Sequence, residues 1–174
     1  MFTLKPLSAD AIPSALAKAE RYRLLNEPGE AESICLDVLE IDPANQDAVI
    51  TLILALTDQF PHESSSKTIT RAGDLANRLS DEYDRAYYSG IVRERRAKTV
   101  LQHQRYGATV NAIDWLKEAM ALYERAESIR PAHNDDAVLR WNACARMTIR
   151  RKRAARWEAR SPTPAARSKR RVRI

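Results

Sequence analysis

Two distant stretches of this chain set the same kinds of residue at the same offsets, and that coincidence limits the folds open to it more than any other feature. Around Asp114 to Pro131, Ala112, Leu116, Ala119, Tyr123, Ala126 and Ile129 recur every three or four residues, the spacing of one helical face. Pro131 is expected to stop that helix at Arg130, because proline clashes with the preceding turn. From Ala31 the design returns: Ala31, Cys35, Val38, Ile41 and Pro43 stand at the offsets of Ala119, Tyr123, Ala126, Ile129 and Pro131. Ala119 and Ala126 are small where a second helix must come close, and Tyr123 fills the space between them. Each stretch is half of a helix pair, and the chain carries an internal repeat.

The composition agrees with a helical protein. Of 174 residues 44% are apolar and 30% charged, the balance of a globular domain with a real core. Four glycines and two phenylalanines are too few for a sheet with its frequent turns, so the fold is expected to be all-α. Charge is split along the chain. From Arg140 onward thirteen Lys or Arg stand against Glu158 alone, a charge of +12, which leaves sixteen bases and twenty-two acids, −6, in residues 1–139. Cys35 and Cys144 are too few for a disulfide framework or a cysteine zinc site and read as reduced core thiols. Pro6, Asp10 and Pro13 interrupt the N-terminus where a signal peptide needs an apolar run, and the longest such run, Ala48 to Thr57, is about half a membrane span. A cytoplasmic location without a transmembrane segment is the expectation.

In order, Ser8 or Asp10 caps a first helix running to Asn26, and Glu27-Pro28-Gly29 turns the chain into a second, Gly29 to Ile41. A third helix, Gln46 to Gln59, is apolar nearly all round and belongs between neighbours. A fourth, ending at Ser80, carries a weaker third copy: Ala72, Leu75 or Ala76, and Leu79. The fifth, Glu82 to Gln104, aligns Tyr83, Tyr87, Gly90, Ala97 and Leu101, with Gly90 permitting a close helix approach. Arg105 to Val110 forms a loop into the organising helix. Asn134 or Asp135 then caps a seventh helix with Val138, Trp141, Ala145 and Ile149 inward and Asp135, Asp136, Arg140 and Arg146 toward water.

These residues resemble the tetratricopeptide repeat, a helix-turn-helix unit of about 34 residues in which Ala, a large residue four on, and Pro recur. Tyr22, Ala31 and Pro43 fit a first copy, with Ala19 at the small position of its first helix and Cys35 in place of the usual aromatic. Ala119, Tyr123, Ala126 and Pro131 fit a third, and the middle copy, from Val49 and Leu52 to Ala72 and Leu79, lacks the proline. The resemblance covers residues 12–148. It implies antiparallel helix pairs stacked as a short right-handed solenoid over residues 1–149, with the seventh helix as C-terminal cap; a four-helix bundle is the competing fold. It also implies a concave groove for a partner peptide or helix, mapped onto Arg23, Ile50, Leu54, Tyr88, Val92, Arg96 and Leu139. The Lys and Asn set with which some members clamp a chaperone's terminal carboxylate is missing at these positions.

Nothing in the sequence assembles a catalytic constellation. His62, His103 and His133 lack metal-ligand spacing to one another or to the cysteines, and four isolated glycines form no phosphate loop. The chain is therefore read as a non-enzymatic scaffold without a cofactor. Glu94 is the carboxylate of interest, since it falls on a packing face in line with Tyr87, Gly90 and Leu101; pairing with Arg93, Arg96 or Arg140 is the expectation. The C-terminal end has a basic extension, 150–160, and a tail, 161–174, with the composition of a disordered segment. Arg150, Arg151, Lys152, Arg153, Arg156, Lys169, Arg170, Arg171 and Arg173 are its polyanion-binding candidates. Three destinations are open: nucleic-acid phosphates, an anionic membrane, or the acidic body of the protein itself. A nucleic-acid-associated accessory protein is thus the second reading.

Overall fold

The computed structural model describes residues 2–61, 66–102 and 108–160, and among them every regular element is helical. A short turn, Ala9–Ala11, leads into α1 (Ile12–Leu24), followed by α2 (Pro28–Ile41), α3 (Gln46–Gln59), α4 (Ser66–Asn77), α5 (Glu82–Gln102), α6 (Ala108–Ser128) and α7 (Asp136–Arg160). Each helix packs on the next in sequence; in addition α1 touches α3, and α3 touches α5.

Local chemistry fixes the joints. Between α1 and α2, Asn26 takes a left-handed φ of 62°, the Glu27 N–H reaches Tyr22 O at 2.9 Å and the Asn26 N–H reaches Arg23 O at 3.0 Å. This pair of bonds satisfies carbonyls that a helix end leaves orphaned, and asparagine tolerates the conformation better than most residues. The turn therefore centres on Asn26, and Pro28 opens α2, where its missing N–H costs nothing. Asn45 caps α3 by accepting the Ala48 N–H at 2.9 Å, and ahead of α7, whose first helical bond runs from Leu139 N–H to Asp135 O, Asn134 turns the chain by accepting the Asp136 N–H at 3.0 Å. Asn45→Ala is expected to cost about 1 kcal/mol in urea unfolding, with an unchanged denaturant slope.

The repeat spacing is matched by burial. Ala31, Cys35 and Val38 are fully buried, as are Ala119, Tyr123 and Ala126, and the equivalent residues in and just after α4, Ala72, Ala76 and Leu79, are buried too. Ala76, not Leu75, therefore occupies the middle position. Ile41 and Ile129, expected on the same inward stripe, are 36% and 40% exposed, alike at equivalent positions. For Ile129 the end of α6 supplies the reason: the Ile129 and Arg130 N–H groups tighten onto Ala126 O and Glu127 O, so that the helix ends at Ser128, two residues before the expected stop, whereas Ile41 is the last residue of α2. A similar tightening at Arg78 and Leu79 ends α4 at Asn77 rather than Ser80. At its start α6 already includes Ala108 to Val110, against the expectation of a loop there.

α7 differs in register from the expectation. Among its described side chains Ala137 and Cys144 are buried, with Trp141 and Met147 packed partly against the core, while Ile149 is exposed. Small side chains let α7 sit close on α6; Trp141 stays at the rim because its indole N–H donates to Glu124 Oε1 at 2.9 Å.

Two apolar clusters result. One is built chiefly on α1 to α4 and contains Val92 of α5; the other is built on α5 to α7 and is packed by Leu54 of α3. Tyr88 packs against both.

Candidate functional site

α1, α3 and α5 meet along one face, and an ion triplet marks their junction. Asp58, near the end of α3, accepts Arg23 Nε of α1 on Oδ2 at 2.9 Å and Arg95 of α5 on Oδ1. Arg95 also donates to Thr57 Oγ1 at 2.8 Å and to Leu54 O at 3.3 Å. Burial lowers the Arg95 pKa, and the Asp58 carboxylate opposes that shift. A guanidinium with this many acceptors holds α3 and α5 in one register.

Next to the triplet lie Ile50, Leu54 and Tyr88, all partly buried. Beyond Tyr88 the field turns acidic. Burial raises the Asp84 pKa, and Asp81 and Asp47 add to it; the Tyr88 phenol is pushed up to about 12 by burial first and then by Asp84, with Asp136 among the further contributors. The face thus runs from arginines, over an aliphatic and aromatic middle, to aspartates contributed by α3, α5 and α7.

Of the seven residues mapped to a groove, the structure brings Arg23, Ile50, Leu54 and Tyr88 onto this face. Val92 is only 4% exposed and belongs to the first core cluster. Arg96 turns onto the adjacent face of α5, its guanidinium 3.9 Å from the Trp115 ring centroid, where with Gly73, Asn77, Ser89 and Leu122 it lines a cleft of about 320 Å³ between α4, α5 and α6. Leu139 is exposed on the outer side of α7. Asp58 and Arg95 were missed. The signal for Asp58 was present, since it follows Ile50 and Leu54 at spacings of four on a helix with no other charge in its last two turns.

A second polar centre joins α5, α6 and α7. Glu94 is fully buried; its Oε2 accepts the Tyr123 O–H at 2.6 Å, and its Oε1 accepts Lys98 Nζ and, at 3.3 Å, Arg140 Nη1. Burial works to raise the Glu94 pKa, but the hydrogen bonds from Lys98 and Tyr123 and the charges of Lys98 and Arg140 outweigh it, so the carboxyl sits below its usual value. Arg140, expected to face water, is instead drawn to this carboxylate, as the pairing expected of Glu94 requires. Arg93 pairs with Glu118 at 3.3 Å. Around the centre Tyr83 stacks on Tyr87 at 5.6 Å, and Tyr87 lies 5.9 Å from Tyr123. With both oxygens committed to three donors, Glu94 acts as a brace between helices.

Burial pushes the Cys35 thiol up to about 11 and the Cys144 thiol up to about 12, which leaves both in the unreactive form at neutral pH. Among the described residues no three His, Cys, Asp or Glu side chains converge to hold a metal ion, and no helix is long and apolar enough to cross a membrane. His62 and His103 lie outside the described residues, and His133 is exposed in the α6–α7 turn. Arg150, Arg151, Lys152 and Arg153 are exposed on α7; the Arg156 side chain, and Lys169, Arg170, Arg171 and Arg173, lie outside the described residues. No family model, curated protein or solved structure matches the chain.

Proposed function

We propose that this protein is a non-enzymatic docking module, a short right-handed stack of tetratricopeptide-like helix pairs capped by α7, which receives a peptide or helix of a partner protein on the α1–α3–α5 face. The observation that carries the reading is the threefold burial pattern at Ala31, Cys35 and Val38, at Ala72, Ala76 and Leu79, and at Ala119, Tyr123 and Ala126. It is supported by the contacts of α1 with α3 and of α3 with α5, which align the first helices of successive pairs. Ile50, Leu54 and Tyr88 supply the apolar floor, and the arginine and aspartate ends orient a ligand of complementary charge.

A peptide-display selection on the intact protein tests the proposal. An enriched peptide is expected to lose at least tenfold in affinity on Tyr88→Ala, with the helical circular-dichroism spectrum and cooperative melt retained. Leu54→Ala provides a second reading of the same floor. Failure to enrich any motif, or equal binding by both variants and the parent, removes the proposal.

A further inference from the structure

Successive residues of a helix advance by about 100°, so residues three, four, seven and eleven apart share a face. On α7 the docked face is marked by Ala137, Cys144 and Met147, and by Arg151, whose Nη2 donates to Leu101 O at the end of α5 at 3.4 Å. The opposite face presents Leu139, Arg146, Arg150, Arg153 and Trp157, all exposed, Leu139 at 64% and Trp157 at 75%. Among the described residues none of Arg146, Arg150 and Arg153 joins a salt bridge.

We propose that this outward stripe of α7 binds single-stranded nucleic acid, with Arg146, Arg150 and Arg153 on successive phosphates and the Trp157 ring stacked on a base. At a rise of 1.5 Å per residue, the three arginines span about 10 Å of helix and Trp157 lies about 6 Å further along. Guanidinium forks match phosphate oxygens, and an indole stacks on any base whose face is open. A duplex hides its base faces and could use the arginines alone. A bilayer is a poor match: an interfacial helix needs a continuous apolar face, whereas Arg150, Arg151, Lys152 and Arg153 step round every side of α7, and Ile149 and Trp157 are the only bulky apolar residues from Thr148 to Arg160. The acidic body is not the target of the stripe either, because the stripe lies on the side of α7 away from its docked face. This surface is separate from the α1–α3–α5 face, so neither proposal depends on the other.

The test titrates the full chain against a labelled thymidine oligomer of about 15 nucleotides, near the upper end of known single-strand site sizes. Log affinity against log salt is expected to slope by at least about −2, the value for three phosphates on a single strand. Arg146→Gln, Arg150→Gln and Arg153→Gln together should flatten that slope by about 2, and the three lysine replacements should restore most of it. Trp157→Ala should weaken oligomer binding by about fivefold or more while changing duplex binding less than twofold. An equal loss of tail charge, through Arg170→Gln, Arg171→Gln and Arg173→Gln, is the control. Losses as large from the tail variant as from the stripe variant overturn the assignment to α7. So do a Trp157→Ala variant without effect, tighter binding to phosphatidylserine vesicles than to the oligomer, and absence of binding at low salt. Circular dichroism of each exposed-site variant excludes unfolding as the cause.

Discussion

Glu94→Ala is expected to destabilise the protein by about 3 kcal/mol at neutral pH, because removing one member of a buried ion cluster leaves its partners uncompensated. Tyr123 would keep a buried O–H without its acceptor, and Lys98 and Arg140 would lose their counter-charge. Both cations reach solvent in part, which places the loss at the lower end of the usual range. Tyr123→Phe keeps the ring but leaves Oε2 of the buried carboxylate without its donor, so about 2 kcal/mol is its expected cost. The effect has a sign in pH. The folded carboxyl lies below its unfolded value of about 4.3, so its contribution is complete above that value and is lost as pH falls through the folded pKa. Glu94→Gln, uncharged throughout, should therefore differ most from the parent at neutral pH and converge with it in acid. Urea unfolding of the three proteins from pH 7 downward measures this; a Glu94→Ala loss below about 1 kcal/mol at neutral pH would remove the brace from the account of stability.

The second large effect is at Gly90, where alanine should destabilise by about 1 to 3 kcal/mol although it is the better helix former by about 1 kcal/mol. A Cβ built there lies 2.6 Å from Tyr123 Cε1 and 2.9 Å from Cδ1. The ring cannot swing aside, being fully buried, bonded to Glu94 and packed on Tyr87. Gly73 provides the contrast, since nothing lies within 4 Å of a Cβ there and Gly73→Ala should stabilise by up to about 1 kcal/mol. In a Tyr123→Leu background the penalty at Gly90 should shrink or change sign. A double-mutant cycle by urea melts gives the coupling, and a Gly90→Ala protein stabilised like Gly73→Ala would show that α5 and α6 leave room for a methyl group beside Tyr123.

Periodicity made the helices and the three small-residue stripes legible, because burial of an apolar face is what a spacing of three and four encodes. Gln46–Gln59 coincides with α3, where Asn45 supplies a side-chain cap and an apolar run follows at once. The ends of α4 and α6 were less legible: there the last turns tighten, a choice made by backbone hydrogen bonding that no residue type announces. α7 was shifted because alanine and cysteine carry little hydropathy, and a stripe built from Ala137 and Cys144 is outweighed on paper by Val138, Trp141 and Ile149. Partners across helices were the least legible. Arg93, Arg96 and Arg140 were equivalent candidates for Glu94 until packing sent the first to Glu118, the second onto Trp115 and the third to the carboxylate. The groove map suffered likewise, since Val92 and Arg96 are separated from Tyr88 by a rotation of α5 smaller than one residue's step resolves.

Stacked helix pairs ordinarily share only nearest-neighbour interfaces, so such chains can fray from an end one unit at a time. Here that neighbouring interface is shared by side chains of both halves, Val92 in the first cluster, Leu54 in the second and Tyr88 against both, so opening either half uncovers apolar surface of the other. The two halves are therefore expected to melt in one transition, and removing α7 is expected to lower the stability of the α1–α3–α5 face through α5, which thermal melts of the full chain and of a chain ending before α7 would check.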